Sequence, residues 1–377
     1  MNLDLLFKRL FGDEEPAHWG SGWISGTLSV LLGGLGVAAT ACLIWPQLLT
    51  SPELRALLPL GWIRAVIELV IGLAFLLGLL SATLRRRKVL GFTGMGLALA
   101  AGAAGALQAR APELLAAPPV YLGLDWFLLN LVLLALLFVP LEKTWPLRRQ
   151  SAFRPGWTTD GLYFLVSHLL VQASTWLTLL PATVLFAWAV NPELQALVRS
   201  MPHAAQFICC AVIADLTQYT LHRLFHRVSW LWPFHAVHHS SQSMDWLAGS
   251  RLHIVDVVLT RGFTFAPLFL LGFDTAPLYA YLMFVSLHAV FIHANVSWRF
   301  PGWLERLLVT PRLHHWHHAI EVEAVDRNFA VHFPWIDRLF GTYYGPADEW
   351  PSGYGLAGNP VPESFTKQLT FPIRPAR

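Results

Sequence analysis

Long apolar runs separated by short polar connections make up most of the first half of the chain. A helix needs about 20 apolar residues to cross the roughly 30 Å hydrocarbon core of a bilayer. The runs that approach or exceed this length are 24–45, 60–83, 89–108, 125–141, 160–190 and 204–221. The fifth contains Pro181 and fits either one kinked or tilted helix or a span followed by a turn at the membrane surface. The pattern predicts an all-α integral membrane protein, a multi-spanning helical bundle.

Two further apolar runs, 254–271 and 275–297, are joined by a Gly-Phe-Asp turn at 272–274 and predict a helical hairpin. Both ends of the hairpin should lie on the same side of the membrane, whether it crosses the bilayer or only enters it. The C-terminal segment is rich in proline, glycine and aromatic residues and predicts a loop-rich cap. Residues 1–19 lack the apolar core of a cleavable signal peptide and predict a short amphipathic helix on the membrane surface.

Composition and charge agree with a membrane protein and indicate its orientation. The chain is 55% hydrophobic and 13% charged, with a net charge of +3, which argues against a nucleic-acid-binding surface. Basic residues cluster at 8–9, 85–88 and 143–154, whereas the alternate connections hold few. We expect a protein of the bacterial cytoplasmic membrane, oriented by the rule that Lys and Arg accumulate on the cytoplasmic side. Its N-terminus and the segment after residue 221 would then face the cytoplasm.

Histidines at helical spacing follow the sixth apolar run and recur near the C-terminus. His222 and His226 are four residues apart, so on a helix their side chains lie on one face. Two further sets share the offsets i, i+3 and i+4, namely His235, His238 and His239, and then His314, His317 and His318. Imidazole ligands suit Zn, Cu, Fe or Ni. A single helical pair is often only packed in a core or lining a pore, but three sets with repeated spacing predict metal binding. Eight imidazoles exceed the needs of one metal and predict two.

The same motifs resemble a known family. HRLFH ending at His226, HAVHH ending at His239 and HHWHH ending at His318 are similar to the fatty acid hydroxylase/sterol desaturase superfamily of integral-membrane, non-haem di-iron oxygenases. SRLH, FIHAN, DRNFA and WIDRLFGTYY fit the same family, from about residue 125 to the C-terminus. The resemblance implies a cytoplasmic histidine-rich site with two non-haem Fe ions, O2 as co-substrate and electrons from a separate donor protein or reductant. It implies a catalytic domain at 116–377, with 1–115 as an accessory membrane unit.

The family motifs add further candidate residues. His293 in FIHAN and the nearby His288 are candidate ligands. Five residues put them about 140° apart on a regular helix, so both reach one site only if the helix is distorted or ends there. Asp215 and Asn295 are the catalytic candidates, and Asp215 would either orient a ligating histidine or line a polar cavity.

Other positions are expected around the metals or away from them. His253 is a ligand or a neighbour of ligands, and His315 points off the ligand face of its helix. Asp326, Asn328 and Asp337 match family positions near the metal cap, where they would orient ligands or cap loops. The remaining histidines stand alone in the sequence and are interpreted as structural: His18, His168, His203 and His332.

These observations predict an O2-dependent enzyme that hydroxylates or desaturates a membrane lipid. The resemblance alone does not choose among sterols, fatty acyl chains, alkylglycerols and carotenoids. The alternative is a non-catalytic protein that binds or transports metal in the membrane. That function would favour histidines distributed along a transmembrane path, whereas here they are concentrated next to the ends of apolar runs.

Overall fold

A computed structural model describes residues 20–51, 59–106, 122–151, 153–169, 183–346 and 349–373. In these ranges the chain is almost entirely helical and forms no strand, only two isolated backbone bridges. It divides into two compact units, one of Met1–Leu133 with His168–Gln172 and one of Leu134–Ser167 with Ala173–Arg377. The predicted surface helix at 1–19 lies outside the described residues.

The first unit is a close-packed group of apolar helices. Its helices are α1 (Trp23–Ile44), the short α2 (Pro46–Leu49), α3 (Leu60–Leu84) and α4 (Val89–Ala106), followed by the start of α5 (Leu124–Thr144). Small residues line the contacts between α1, α3 and α4. Ser29 on α1 donates a hydrogen bond to the carbonyl of Ala74 at 2.6 Å, and a Cβ at Gly94 would lie 1.8 Å from the Ser29 hydroxyl. Small residues of this kind let membrane helices approach closely.

The second unit carries the histidine motifs. After the end of α5, its helices are α6 (Trp157–Leu169), α7 (Pro192–Arg199), α8 (His203–Arg227), α9 (Trp232–His239), α10 (Ile254–Leu271), α11 (Thr275–His293), α12 (Gly302–Leu307), α13 (Pro311–His317), α14 (Pro334–Leu339) and α15 (Phe365–Thr370). The long helix α8 packs against both helices of the hairpin, α10 and α11. Short helices and loops of the C-terminal segment cover the end of α8 that bears the histidines.

Six described helices are long and apolar enough to cross a membrane: α1, α3, α5, α8, α10 and α11. Four of them match predicted runs, and both hairpin helices meet the same criterion. The described part of the predicted run 89–108 is the apolar helix α4, and residues 107–108 lie outside the described ranges. The run 160–190 is only partly described, because residues 170–182 lie outside the described ranges.

The hairpin has the predicted turn but a shorter second helix. Gly272 adopts a positive φ of 63° that ends α10, a conformation that costs glycine little. The second helix ends at His293 instead of continuing to residue 297. The reason is a tertiary contact, since the backbone N–H of Asn295 donates to the carboxylate of Glu142 at 3.0 Å instead of to a carbonyl of the helix.

Candidate metal centre

Nine histidines from four segments of the second unit converge in two adjacent clusters. Site A contains His222, His226, His235, His239 and His317, and site B contains His238, His293, His314 and His318. Within each site the candidate ligand nitrogens lie within 4.8 Å of one another. The rings of His239 in site A and His318 in site B are 4.5 Å apart between centroids. The second unit therefore holds two neighbouring sites built from imidazole.

Two short helices contribute to both sites. On α9, His235 and His239 are four residues apart and face site A, whereas His238 lies on the adjoining face and joins site B. At α13, His317 belongs to site A, and His314 and His318 belong to site B. Each i, i+3, i+4 set is thus divided between the sites, and both short helices contribute ligand candidates to site A and to site B.

The hydrogen bonds of site A have the pattern expected of metal ligands. The Nε2 atom of each of the five rings is buried, with no hydrogen-bond partner among the described residues. Four rings are held through Nδ1: His222 by the Phe329 carbonyl at 2.8 Å, His317 by the Arg327 carbonyl at 2.7 Å, His235 by Asp256 at 2.6 Å and His226 by Asp326 at 3.2 Å. A carbonyl oxygen only accepts, so the rings of His222 and His317 carry their proton on Nδ1. Their Nε2 lone pairs remain free to bind a cation.

In site B, as in site A, rings direct Nδ1 outward to the backbone and Nε2 inward, and the Nε2 atoms lie close together. The Nε2 atom of His293 lies 2.9 Å from that of His314 and 3.3 Å from that of His238. The rings of His238 and His293 direct Nδ1 to the carbonyls of Arg251 and Ala289. The Nε2 atoms of these two rings are therefore unprotonated, and each carries a lone pair. Two lone pairs at this distance repel each other unless a cation lies between them. The donor set fits a bound metal ion.

Burial keeps these imidazoles neutral. Desolvation lowers the pKa of His235, His238 and His239 well below the ordinary value of 6.5, and the neighbouring imidazoles lower it further. The pKa values of His314, His317 and His318 are lowered for the same reasons. Only the neutral ring has a lone pair for a metal, so these rings are in the ligating form at neutral pH.

Two buried carboxylates hold the segment 326–333 against site A. The two oxygens of Asp215 accept hydrogen bonds from the backbone N–H groups of 331–333 at 2.7–3.1 Å. Asp337 accepts from the N–H groups of Phe329 and Ala330 at 2.8 and 3.0 Å. Five successive amides are therefore fixed by two side chains. The same segment supplies the Asp326 carboxylate and the two carbonyls that orient ligands of site A.

This arrangement corrects the expectation for Asp215. Its oxygens are occupied by backbone amides, so Asp215 does not orient a ligating ring directly. It acts on site A through the segment 326–333. Asp326 does contact a ligand ring, that of His226. Asn328 binds backbone groups of Leu313 and Tyr344 and, like Asp326, has a positive φ, which Asn and Asp tolerate best after Gly.

His288, predicted as a candidate ligand, lies outside both histidine clusters. Its Nδ1 lies 3.0 Å from Nδ1 of His332, and its Nε2 lies 2.9 Å from the carbonyl of Val309. Helix α11 stays α-helical up to His293, so five residues leave the two side chains on different faces. His332, expected to stand alone, is fully buried and pairs with His288.

Three further candidates have structural contacts. His253 accepts the N–H of Val255 with one ring nitrogen and contacts the Leu369 carbonyl with the other, so it caps α10. His315 is fully buried and its Nδ1 lies 2.8 Å from the Tyr354 hydroxyl. The Asn295 amide makes two hydrogen bonds to the backbone of Arg148, at 2.9 and 2.8 Å. Asn295 therefore anchors the end of α11, two residues after His293.

Sequence reasoning missed a buried ion-pair network beside site B. Arg154 makes two hydrogen bonds to Asp245, at 2.7 and 2.6 Å, and one to Asp160 at 2.7 Å. Asp160 also accepts from Arg251. Each charge has an opposite partner, as burial of charge requires. The network holds the segment 245–251, whose last carbonyl orients His238. Two of its ion pairs, Arg154 with Asp245 and Arg251 with Asp160, join residues that are 91 apart in sequence. Of these side chains, only Arg251 belongs to a motif noted in the sequence, SRLH.

The sequence analysis also missed Asp256, whose carboxylate contacts the ring of His235. We expect Asp256→Asn and Asp326→Asn to weaken metal binding at site A about 10- to 100-fold, because each carboxylate holds a ligand ring. The effect should be larger at Asp256, whose side chain is 5% exposed against 33% for Asp326. Competition with a chelator, read as metal per chain, measures this. Asp274→Asn, remote from both sites, is the control; equal metal retention in all three variants would contradict the assigned roles.

Gly249→Ala should act on site B alone. A Cβ at Gly249 would lie 2.8 Å from Nδ1 and 3.0 Å from Cγ of His293, closer than a rigid ring tolerates. We expect loss of about one of two bound metals, measured as metal per folded chain. Gly302→Ala, where a Cβ meets nothing within 4 Å, should keep both. Undiminished metal binding in Gly249→Ala would show that the position of His293 is not critical.

Comparison with known proteins agrees with this site. The fatty acid hydroxylase family model matches residues 207–342, a region that contains all nine site histidines. The ornithine lipid hydroxylase OlsE of Rhizobium tropici is 31% identical over 243 residues, covering 62% of this chain and 70% of that protein. Rat methylsterol monooxygenase 1 is 27% identical over 228 residues, covering 58% of this chain and 73% of the rat protein.

A third relative is matched only in part. Human alkylglycerol monooxygenase is 34% identical over 143 residues, which cover 38% of this chain and 31% of the human protein. The chain thus spans about a third of that relative's length. No solved structure matches the chain significantly. All three relatives are named as lipid hydroxylases or monooxygenases, and the coverage of the first is sufficient to assign the family. The chain belongs to the fatty acid hydroxylase family of membrane proteins.

Proposed function

We propose that this protein is a membrane-bound lipid hydroxylase that holds two non-haem iron ions, one in site A and one in site B. The observation that supports this most directly is the pair of adjacent, buried sites whose imidazole nitrogens converge without other partners. Sites made only of imidazole suit iron among other first-row metals, and the family relationship favours iron. The relatives named hydroxylase and monooxygenase favour hydroxylation over desaturation.

The reaction would convert a lipid C–H bond into C–OH with O2. One oxygen atom enters the lipid, the other leaves as water, and a separate donor provides two electrons with two protons. The chemistry supplied by the two bound irons would be reduction of O2 and removal of hydrogen from an unactivated carbon. The protein holds six of the nine rings in place through backbone carbonyls and carboxylates. Its hydrophobic packing around Phe329 and Tyr219 excludes water from the site A side.

The substrate class follows from the relatives and the location. Ornithine lipid, alkylglycerol and methylsterol are all membrane lipids, and the ornithine lipid hydroxylase matches the largest part of this chain among the relatives described above. A lipid that diffuses laterally would reach histidines at the ends of membrane helices without leaving the bilayer. Ornithine lipid is the first substrate to test. In this proposal residues 116–377 form the catalytic domain, and the histidine-free spans of 1–115 supply no ligand.

We propose that the sites face the cytoplasm, as the distribution of Lys and Arg along the chain predicts. Single cysteines at Arg86 and Ser352 should therefore escape an impermeant thiol reagent in intact cells, in a background without the three native cysteines. A cysteine at Ala111 should be labelled from outside. Labelling at 86 or 352 with a silent position 111 would reverse the topology.

The function is tested by metal analysis and isotope incorporation together. Purified protein should contain about two irons per chain, and ornithine lipid incubated with 18O2 and a reducing system should gain one 18O atom. The alternative is a protein that binds or transports metal without catalysis. Redox-inert metal, with no oxygen uptake dependent on lipid, would support that alternative and contradict the proposed hydroxylase.

A further inference from the structure

A polar cleft lies beside site B at the end of α5. Its volume is about 440 Å³, and its walls come from the end of α5, the segment 146–151, and the residues next to Asp245 and Asn295. Asn295 connects the cleft to site B, because it follows the site B ligand His293 by two residues. Its backbone N–H also binds Glu142 in the cleft wall. The cleft and site B are therefore connected through the segment 293–295.

Three basic side chains line this cleft: Lys143, Arg148 and Arg149. Arg148 is held in position, since its guanidinium donates to the Pro351 carbonyl at 2.6 Å and lies over the Tyr354 ring at 4.5 Å. Lys143 and Arg149 are exposed. Among the described residues, Lys143 donates to the Gln150 carbonyl and pairs with no carboxylate.

Of the two carboxylates in the cleft wall, Asp245 is paired with an arginine, and Glu142 leaves one negative charge against the three basic side chains. Both oxygens of Asp245 bind Arg154, in the ion-pair network beside site B. Glu142 uses one oxygen to accept the N–H groups of Trp246 and Asn295, at 2.7 and 3.0 Å. Positive charge therefore exceeds the negative charge available to it in the cleft. A carboxylate or phosphate would find a positioned guanidinium with two further cations nearby.

The location of the cleft indicates the source of that anion. Helix α5 is long and apolar enough to cross a membrane, and the cleft opens at its C-terminal end. The next residue, Trp145, is 49% exposed and packs edge-on against Trp298 at 5.6 Å. Tryptophan is enriched at the level of lipid head groups. The cleft thus lies at the depth where head groups occur.

From these contacts we infer that the cleft binds the anionic group, phosphate or carboxylate, of a lipid head group. This inference rests on the proposed function for the view that the bound lipid is a substrate, but the binding itself does not depend on catalysis. A lipid held here by its head would have its polar end next to site B. Zwitterionic lipids, ornithine lipid included, would bind through their anionic group but more weakly than net-anionic lipids, because their cationic group is repelled by the basic side chains of the cleft.

Lipid binding to the full-length protein in a neutral detergent tests the inference. The probes are dioleoylphosphatidylglycerol, dioleoylphosphatidylcholine and inorganic phosphate, each titrated separately and read by native mass spectrometry. We expect phosphatidylglycerol to bind most tightly, and Lys143→Gln with Arg149→Gln to weaken it by about fivefold for each charge removed. Arg306→Gln, an exposed arginine on α12 outside the cleft, is the matched control and should bind like the unmodified protein.

Two results would overturn the inference. One is equal affinity of the double variant and the control for phosphatidylglycerol. The other is displacement of phosphatidylglycerol by inorganic phosphate at similar concentration, which would show a site for the free anion instead of a lipid. Metal content and 18O incorporation are measured on the same preparations. Cleft binding without oxidation would contradict only the proposed function, whereas oxidation without binding at these residues would contradict only the cleft.

Discussion

Replacing His317 with alanine is expected to empty site A, and replacing His238 with alanine is expected to empty site B. Each substitution removes one imidazole from a different cluster and leaves a cavity in place of the ring. Metal per chain should fall from about two to about one in either variant. Lipid oxidation should become undetectable in both, because the proposed reaction uses the two sites together. Elemental analysis of the purified variants, combined with 18O incorporation into lipid, measures both effects.

His288→Ala is the matched control for these substitutions. His288 is a buried histidine on the same helix as the ligand His293, but its two nitrogens are used by His332 and Val309. This variant should keep two metals, although loss of the hydrogen-bonded pair will lower its stability. Retention of two metals in both His317→Ala and His238→Ala would disprove the ligand sets. Loss of a metal in His288→Ala with normal folding would restore it as a ligand.

Replacing Asp215 with alanine is expected to cause the largest loss of stability of any single change outside the ligands. Its carboxylate is fully buried and satisfies three backbone N–H groups at 331–333. Each buried amide left without an acceptor costs roughly 1–3 kcal/mol. The segment 326–333 should loosen, so the rings of His222, His226 and His317 lose their positions. A lower unfolding temperature in detergent, with metal lost from site A first, is the expected result.

Two further variants make this test specific. Asp215→Asn keeps one acceptor oxygen but turns an NH2 group toward backbone N–H donors, so its effect should be intermediate. Asp274→Ala removes a carboxylate that binds Gln206 at the other end of α8, and this change should leave the metal content unaltered. An Asp215→Ala protein with normal stability and two metals would show that Asp337 alone holds the segment.

Local patterns in the sequence predicted most of the secondary structure. The runs 24–45, 60–83, 125–141 and 204–221 correspond to described helices with similar bounds, because hydrophobic length is a property of the local chain. Helix ends were predicted less well. Helix α11 ends at His293 because a side chain far away in sequence, Glu142, takes the N–H of Asn295.

The spacing of histidines predicted a metal centre, but it did not predict which histidines belong to site A and which to site B. Helical periodicity places His235, His238 and His239 near one another, and it placed His288 out of phase with His293, as the structure also has it. Periodicity does not say which neighbouring helix each ring faces. The partners of a ring depend on how α8, α9, α11 and α13 pack, and that packing assigns five rings to site A and four to site B.

The sequence by itself therefore determined the class of the protein: apolar helices long enough for a bilayer, histidines at ligand spacing, and motifs of a lipid-oxidising family. Only the tertiary structure decided the roles of Asp215, Asp256 and the network around Arg154. Asp256, Arg154 and Asp215 each contact a distant partner, 21, 91 and 118 residues away along the chain respectively. Local propensity carries no information about such pairs, because their hydrogen bonds exist only once the helices and the segment 326–333 have packed together.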